Sequence, residues 1–232
     1  MRTSALIVAA GRSERLGGAG PKQFLDLSGR PLVVHCIDRF CSVGGIDAII
    51  LALPAAADLD QRLAQYGPWS VPVRAVQGGA TRQQSTAAAL AVVDEMTDLV
   101  VVHDGARPLV SSRTIRDVIR SAAVTGAAIT AAPCTDTIKE VAEGRVQRTL
   151  DRSRLVRTQT PQAFRTDWLR EAHRRAVEDG FTGTDDAALV ERLGRSVAVV
   201  LGDVSNLKVT TPGDLLLAAA LLRPGEGTGT GS

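Results

Sequence analysis

The sequence predicts an α/β fold: a Rossmann-like, mostly parallel sheet with helices on both faces, plus a projecting β-arm. Three observations predict it. Short apolar runs of strand length recur along the chain, longer segments with helical spacing separate most of them, and one interval replaces this rhythm by alternation about a Glu-Gly pair. Strand and helix in repeated succession imply βαβ units, whose crossover helices cover both faces of a parallel sheet.

In chain order, strands are expected at Ala5–Ala10, Ala48–Leu53, Val71–Val76, Leu99–Val102, Ala127–Ala132 and Val197–Leu201. Their lengths suit buried strands bounded by turn residues. Helical spacing covers Pro31–Ser42, Ala56–Tyr66, Thr81–Met96, Ser111–Thr125, Thr166–Asp179, Asp185–Leu193 and Pro212–Leu222. Pro31 and Pro212 suit a first helical position, and Ser111 or Ser112 offers a cap. The stretch "TIKEVAEGRVQRTL" alternates apolar and polar residues around "EG", so a hairpin or arm is expected at about 135–150. The tail "RPGEGTGTGS" has no apolar face, and disorder is expected over 224–232. Residues 1–223 are expected to form a single domain.

Composition narrows the function classes. With 232 residues, 44% of them hydrophobic, the chain can bury a full core, and a net charge of +2 points to neither nucleic acid nor an anionic membrane surface. No run approaches about 18 apolar residues and the N-terminus lacks a signal-peptide pattern, so a cytoplasmic protein is expected. Cys36, Cys41 and Cys134 are odd in number and show no CxxC spacing; they read as buried, reduced thiols. Only three of the 27 basic residues are lysines, Lys22, Lys139 and Lys208. A compact ammonium among so many guanidinium forks is mildly informative, although codon bias accounts for any one of them equally well.

Ligands of open α/β sheets bind beyond the carboxyl ends of the strands. That rule selects "AAGRSERLGGAGPKQ", "QGGATRQQS", "HDGARP" and "SNLKVTTP". In the first, glycines let backbone N–H groups approach an anion while Arg12, Arg15 and Lys22 add charge, the makings of a polyphosphate cradle. It is neither a Walker A loop nor a GxGxxG fingerprint, and an exposed loop without a ligand is the plain alternative. Asp104 follows an apolar strand, where one carboxylate suits Mg²⁺ completed by water and substrate phosphates; capping a turn and pairing with Arg107 is the alternative. His103 reads as a structural neighbour. In "GGATRQQS", backbone groups and Ser85 could face a ligand, with Arg82 bracing the loop or starting a helix. HExxH, GxSxG and paired Cys/His motifs, which would offer a protein nucleophile or a catalytic zinc, are missing; a reaction whose substrates bring their own nucleophile would need neither. Transfer at a nucleotide α-phosphate to a phosphate acceptor has that character, since positioning and charge neutralisation suffice.

Taken in order, "AAGRSERLGGAGPKQF", "GGATRQQS", "HDGARP", "DTIKEV", "LDRSRLVRTQTPQAF", "GTDDAALV" and "NLKVTTPGDL" resemble the 2-C-methyl-D-erythritol 4-phosphate cytidylyltransferase family over about Ser4 to Leu222. The resemblance implies transfer of CMP from CTP to the phosphate of 2-C-methyl-D-erythritol 4-phosphate, with release of pyrophosphate and with Mg²⁺ or another divalent cation. It implies that Arg15 and Lys22 stabilise the transition state and that Arg152 and Lys208 position the acceptor. It assigns the nucleotide to Ala9, Ala10, Gly11, Gly79 and Ser85, and substrate contacts to Asp104, Arg107, Thr137 and Thr184, with Asp104 also a metal candidate. It further implies a homodimer in which the arm lends Thr137 and Arg152 to the neighbour's site. The sequence departs from the family pattern at Ala80 and Gly105, and Ala80 is given no side-chain role. A ribitol-5-phosphate cytidylyltransferase would share the nucleotide half and differ around Thr137, Arg152, Thr184 and Lys208. A nucleotide-binding scaffold without catalysis is the non-enzyme alternative.

Overall fold

A computed structural model describes residues 1–11, 22–54 and 63–222, with the side chain of Lys22 also outside the description. Among the described residues, seven strands form one sheet in the order β11-β7-β10-β6-β1-β4-β5. These are β1 (Thr3–Val8), β4 (Ala48–Leu53), β5 (Val73–Gln77), β6 (Leu99–Asp104), β7 (Ala127–Pro133), β10 (Val156–Arg165) and β11 (Ala198–Leu201). A two-residue pairing, β2 (Asp26–Leu27) with β3 (Arg30–Pro31), and a hairpin, β8 (Lys139–Ala142) with β9 (Arg145–Thr149), stand apart. The same residues form six helices: α1 (Leu32–Cys41), α2 (Arg82–Ala91), α3 (Ser112–Thr125), α4 (Thr166–Glu178), α5 (Asp186–Arg192) and α6 (Pro212–Leu222). The expected helix Ala56–Tyr66 and the expected disordered tail fall wholly or mostly outside the described residues.

The helices that cover the sheet pack by their apolar faces. Val33, Val34, Ile37 and Phe40 of α1 and Ile115, Val118 and Ala122 of α3 cover one face of β1, β4 and β6; Ala89 and Leu90 of α2 with Leu169, Ala172 and Ala176 of α4 cover the other. The strands between are buried on both faces, as continuous apolar runs require. Helix ends follow local chemistry. Ser111 Oγ accepts the N–H of Thr114 at the start of α3, and Gly126, at φ +88, closes it.

One strand breaks the parallel pattern and was not expected from the sequence. β10 lies antiparallel between β6 and β7, and its register slips between Gln159 and Gln162. Its sequence, VRTQTPQAFR, hides it: Pro161 argues against an interior strand and the Thr/Gln run carries little apolar signal. The structure keeps the proline by releasing ladder pairing at the bulge, where side chains take over. Asn206 Nδ2 donates to the carbonyl of Thr160 (2.9 Å) and to Gln159 Oε1 (3.2 Å).

Two further expectations need correction. The helix expected over Thr81–Met96 ends at Ala91, where the chain turns through residues 92–97 into β6. Of the three free cysteines only Cys36 is fully buried, and burial pushes its thiol well above the usual range; Cys41 and Cys134 are partly exposed. The arm is as expected, with Glu143 and Gly144 both at positive φ in its two-residue turn and both strands exposed.

Gly126 tests the contact between the turn that closes α3 and the Trp168 indole. A Cβ there would strike the Trp168 indole at a left-handed backbone position. Gly126→Ala should therefore lower unfolding free energy by about 2–4 kcal/mol in urea titration, from backbone strain plus overpacking.

Candidate active site

The carboxyl ends of β1, β5 and β6 share one edge of the sheet, so the segments that leave them converge. Ala9–Gly11 follow β1, Gly78–Thr81 follow β5, and Asp104 is the last residue of β6. Thr81 and Gln84 form a capping box that starts α2, and Ser85, one turn in, donates to the Thr81 carbonyl (2.8 Å) and accepts from Gly79 N–H (3.1 Å). These segments sit too close for larger residues. A Cβ on Gly78 would collide with Ala10 and Ser85, and one on Gly105 would lie 2.8 Å from the Cβ of Ala9.

Two cavities open on this edge. One is lined by Ala9–Gly11, Gln23, Gly79 and Ser85; the other by Arg107, Thr158–Thr160, Gln162, Thr184 and Asp185. Three side chains line both: Arg82, Asp104 and Lys208. They form the wall where the cavities meet. Arg82 Nε donates to Asp104 Oδ1 (3.0 Å), and Lys208 Nζ lies 2.8 Å from Asp104 Oδ2. Arg107 Nε is more distant, at 3.9 Å, and its firmer bond runs from Nη1 to the carbonyl of Asn206 (2.7 Å).

The local sequence explains each placement. Asp104 N–H donates to Thr160 Oγ1 (3.0 Å), so the β10 bulge fixes the end of β6. Buried Asn206 pins the 203–210 segment to the same bulge, and Val209 N–H pairs with the Ala106 carbonyl (2.8 Å), which delivers Lys208 to Asp104. Arg82 is the first residue of α2. Beyond the wall, its Nη1 donates to Asp186 Oδ2 (2.6 Å), and His173 Nε2 lies 3.1 Å from Asp186 Oδ1. Electrostatics follow this order. Burial alone would raise the pKa of Asp104, yet Arg82 and Lys208 hold it far below the usual carboxylate range. For Asp186 burial again opposes ionisation, and its hydrogen bond to His173 together with the charge of Arg82 outweighs it. Arg82 is held above the ordinary guanidinium value, because the two carboxylates overcome the cost of its burial.

A sequence profile described as 2-C-methyl-D-erythritol 4-phosphate cytidylyltransferase (IspD) matches residues 3–224. The chain belongs to this family. A relative of that name from Symbiobacterium thermophilum is 46% identical over 220 residues, covering 94% of this chain and 92% of that protein. A crystal structure of 4-diphosphocytidyl-2C-methyl-D-erythritol synthase from Anaerococcus prevotii matches with a TM-score of 0.84 at 32% identity, over 95% of this chain and 98% of that one. That of 2-C-methyl-D-erythritol 4-phosphate cytidylyltransferase from Thermus thermophilus matches with 0.79 at 38%, over 95% and 98%.

Within this cytidylyltransferase-family chain, the structure brings together Ala9, Ala10, Gly11, Gly79, Ser85, Asp104 and Lys208 around one cavity, and Arg107 and Thr184 join the last two around the other. Thr137 and Arg152 are exposed beside the arm and line neither; Arg152 Nη1 instead donates to the Thr135 carbonyl (2.7 Å). Arg15 lies outside the described residues, as does the Lys22 side chain, whose backbone opens a 3-10 turn at Lys22–Phe24. Sequence reasoning left Arg82 undecided and passed over Asp186 and His173. The Asp185-Asp186 pair at a helix start was the available signal, since a first-turn acid is ordinary but a fully buried one is not.

The described residues do not make a resident divalent-cation site. Both Asp104 oxygens already face cations, the Asp185 carboxylate accepts from Ala188 N–H and Gln162 Nε2, and no group of three or more acidic, His or Cys side chains converges among the described residues.

His103 is buried behind the wall, with Nδ1 3.1 Å from Thr160 Oγ1 and Nε2 3.1 Å from the Arg107 carbonyl. Burial disfavours its imidazolium more than Asp104 favours it, and its pKa falls to about 4. Below the unfolded-state value the unfolded chain binds the extra proton, so stability is lost as pH falls from about 6.5 toward 4. Unfolding free energy should drop by about 2 kcal/mol between pH 7 and pH 5. His103→Gln should remove most of that dependence in denaturant titrations at the two pH values.

Proposed function

We propose that the chain transfers the cytidylyl group of CTP to the phosphate of 2-C-methyl-D-erythritol 4-phosphate, giving 4-diphosphocytidyl-2-C-methyl-D-erythritol and pyrophosphate, a step of isoprenoid precursor synthesis. Family membership supports the reaction, and one observation carries its geometry: two cavities meet at a wall of Arg82, Asp104 and Lys208. On this reading the nucleotide takes the cavity of Ala9–Gly11, Gly79 and Ser85, where close-packed backbone groups can read a pyrimidine edge. The acceptor takes the cavity of Arg107 and Thr184. Its phosphate oxygen then meets the α-phosphorus at the wall, where in-line approach needs both partners held rather than a protein nucleophile. Lys208, anchored through Asn206, sits where it can steer the acceptor phosphate. Arg15 and Lys22 supply charge from the glycine-rich loop to the transition state.

Mg²⁺ or a similar ion, carried by the CTP phosphates rather than by the described residues, would supply charge neutralisation to the transfer. The ribitol 5-phosphate alternative gains no support from the relatives. A cytoplasmic enzyme fits the absence, among the described residues, of any helix long and apolar enough to cross a membrane.

Assembly as a homodimer through the arm completes the reading. The arm exposes Val141 and Val146, and exposed Val156 and Leu201 lie at the same end of the sheet, opposite Pro133 and Ala131 of β7. An apolar surface of this kind suits a second copy, whose site would receive Thr137 and Arg152.

Purified protein with CTP and Mg²⁺ should release pyrophosphate with 2-C-methyl-D-erythritol 4-phosphate and not with ribitol 5-phosphate; the reverse preference, or silence with both, defeats the proposal. Lys208→Ala should lower kcat/KM for the acceptor by roughly 10²-fold, as loss of one preorganised contact does, with CTP affinity by calorimetry little changed. Replacing residues 139–149 by a short Gly-Ser turn should give a monomer in sedimentation velocity with turnover reduced about 10²-fold or more, since the neighbour's positioning groups are lost. An active monomer would end the shared-site reading.

A further inference from the structure

Arg82 is the wall residue whose partners extend outside both cavities. Its guanidinium is divided between carboxylates from different parts of the chain: Nε faces Asp104 at the end of β6, and Nη1 faces Asp186 at the start of α5. Asp186 is 1% exposed and lines neither cavity, so an acceptor or nucleotide seated there would not touch it. Its second oxygen is taken by His173 of α4, itself buried. Neighbouring Gln83 ties the same elements, with Nε2 donating to the Phe181 carbonyl (3.2 Å) and Oε1 accepting from Gly183 N–H (3.0 Å). One carboxylate lets a planar guanidinium pivot about the bond it makes. Two carboxylates, at Nε and Nη1, fix the plane, and Nη2 is left as a buried donor without a partner among the described residues.

We propose that Asp186, backed by His173, is a positioning residue for the transfer reaction, acting through Arg82 to hold Asp104 and Lys208 in register between the two substrates. The inference rests on the cytidylyl-transfer reading. The relay runs His173, Asp186, Arg82, Asp104, Lys208, and each link is a charged or hydrogen-bonded contact of 3.1 Å or less. A capping role alone would not need this chain. Asp185, not Asp186, is the residue whose carboxylate caps α5, through Ala188 N–H at 3.0 Å. Losing Asp186 leaves Arg82 with Asp104 only, so the wall shifts while both cavities keep their other lining.

The test is a kinetic cycle of Asp186→Asn, Arg82→Lys and the double variant, scored per folded molecule by pyrophosphate release at saturating CTP. Asp186→Asn should reduce kcat roughly 10- to 100-fold, the effect of misplacing a site residue from a distance, with KM for CTP within about twofold. The double variant should be no slower than Arg82→Lys alone, because the two residues act as one unit. Losses that multiply in the double variant, or an unchanged kcat in Asp186→Asn, overturn the relay. If Asp186→Asn fails to fold, His173→Phe and His173→Gln replace it: Phe removes the bond to Asp186 and should slow turnover several-fold, while Gln keeps a donor and should restore it. Equal effects of Phe and Gln also overturn the relay. An inactive wild type would overturn the transfer reading and the relay with it, whereas an active wild type with additive variants overturns the relay alone.

Discussion

The guanidinium of Arg82, shared by Asp104 and Asp186, is the contact on which the rest of the site depends. Three charges removed from water are tolerable only when each is paired and hydrogen-bonded, and removing one partner from such a group typically costs about 3–5 kcal/mol. The scaffold meets that demand from three directions. β6 brings Asp104 to the sheet edge, the capping box at Thr81 starts α2 so that Arg82 points across it, and α5 opens with Asp186 behind. None of the three segments is adjacent in sequence. The arrangement therefore exists only in the finished fold, and it links the correctness of the fold directly to the competence of the site.

The reversed strand serves the same edge. An all-parallel sheet would carry its ladder regularly to the carboxyl ends, leaving the last N–H groups to loops. By running antiparallel and bulging at residues 159–162, β10 places Thr160 against the Asp104 N–H and offers its own freed carbonyl to Asn206. Asn206 then fixes the segment that carries Lys208. The irregularity redistributes hydrogen bonding: pairing lost from the ladder reappears as side-chain bonds that orient two charged residues.

Parallel strands and most helices were legible because burial on two faces leaves a continuous apolar run and burial on one leaves a helical stripe. Those are local patterns. The arm was legible for a similar reason, since alternation around Glu143-Gly144 specifies a tight turn. β10 was not, because its pairing depends on Gln, Thr and Pro residues whose role is set by partners elsewhere. Arg82 illustrates the limit most clearly. Its start-of-helix position can be read from neighbours, but its bond to Asp186 spans 104 residues, and no local pattern in either segment announces the other. That Gly79, Ser85, Asp104 and Lys208 would gather at one sheet edge was legible because segments leaving strand ends with glycine, a small hydroxyl and isolated charges are poor choices for a core. Their division between two cavities required the structure.

The charge balance of the wall bears on how such a site would work. Asp104 and Asp186 offset Arg82 and Lys208, which leaves the described wall with little surplus positive charge apart from Arg107. A triphosphate is strongly anionic, so a wall of this kind cannot be the main source of its neutralisation. The sequence carries a second supply of charge at Arg12, Arg15 and Lys22, and a divalent ion can travel on the phosphates themselves. Position and charge are thus separable: on the proposed reading the network of Arg82, Asp104 and Asp186 holds the place where two substrates would meet, in a low-dielectric setting where fixed groups act strongly. A network that also supplied the bulk charge would have to carry unpaired cations in the absence of substrate, at a desolvation cost that the carboxylates of Asp104 and Asp186 here avoid.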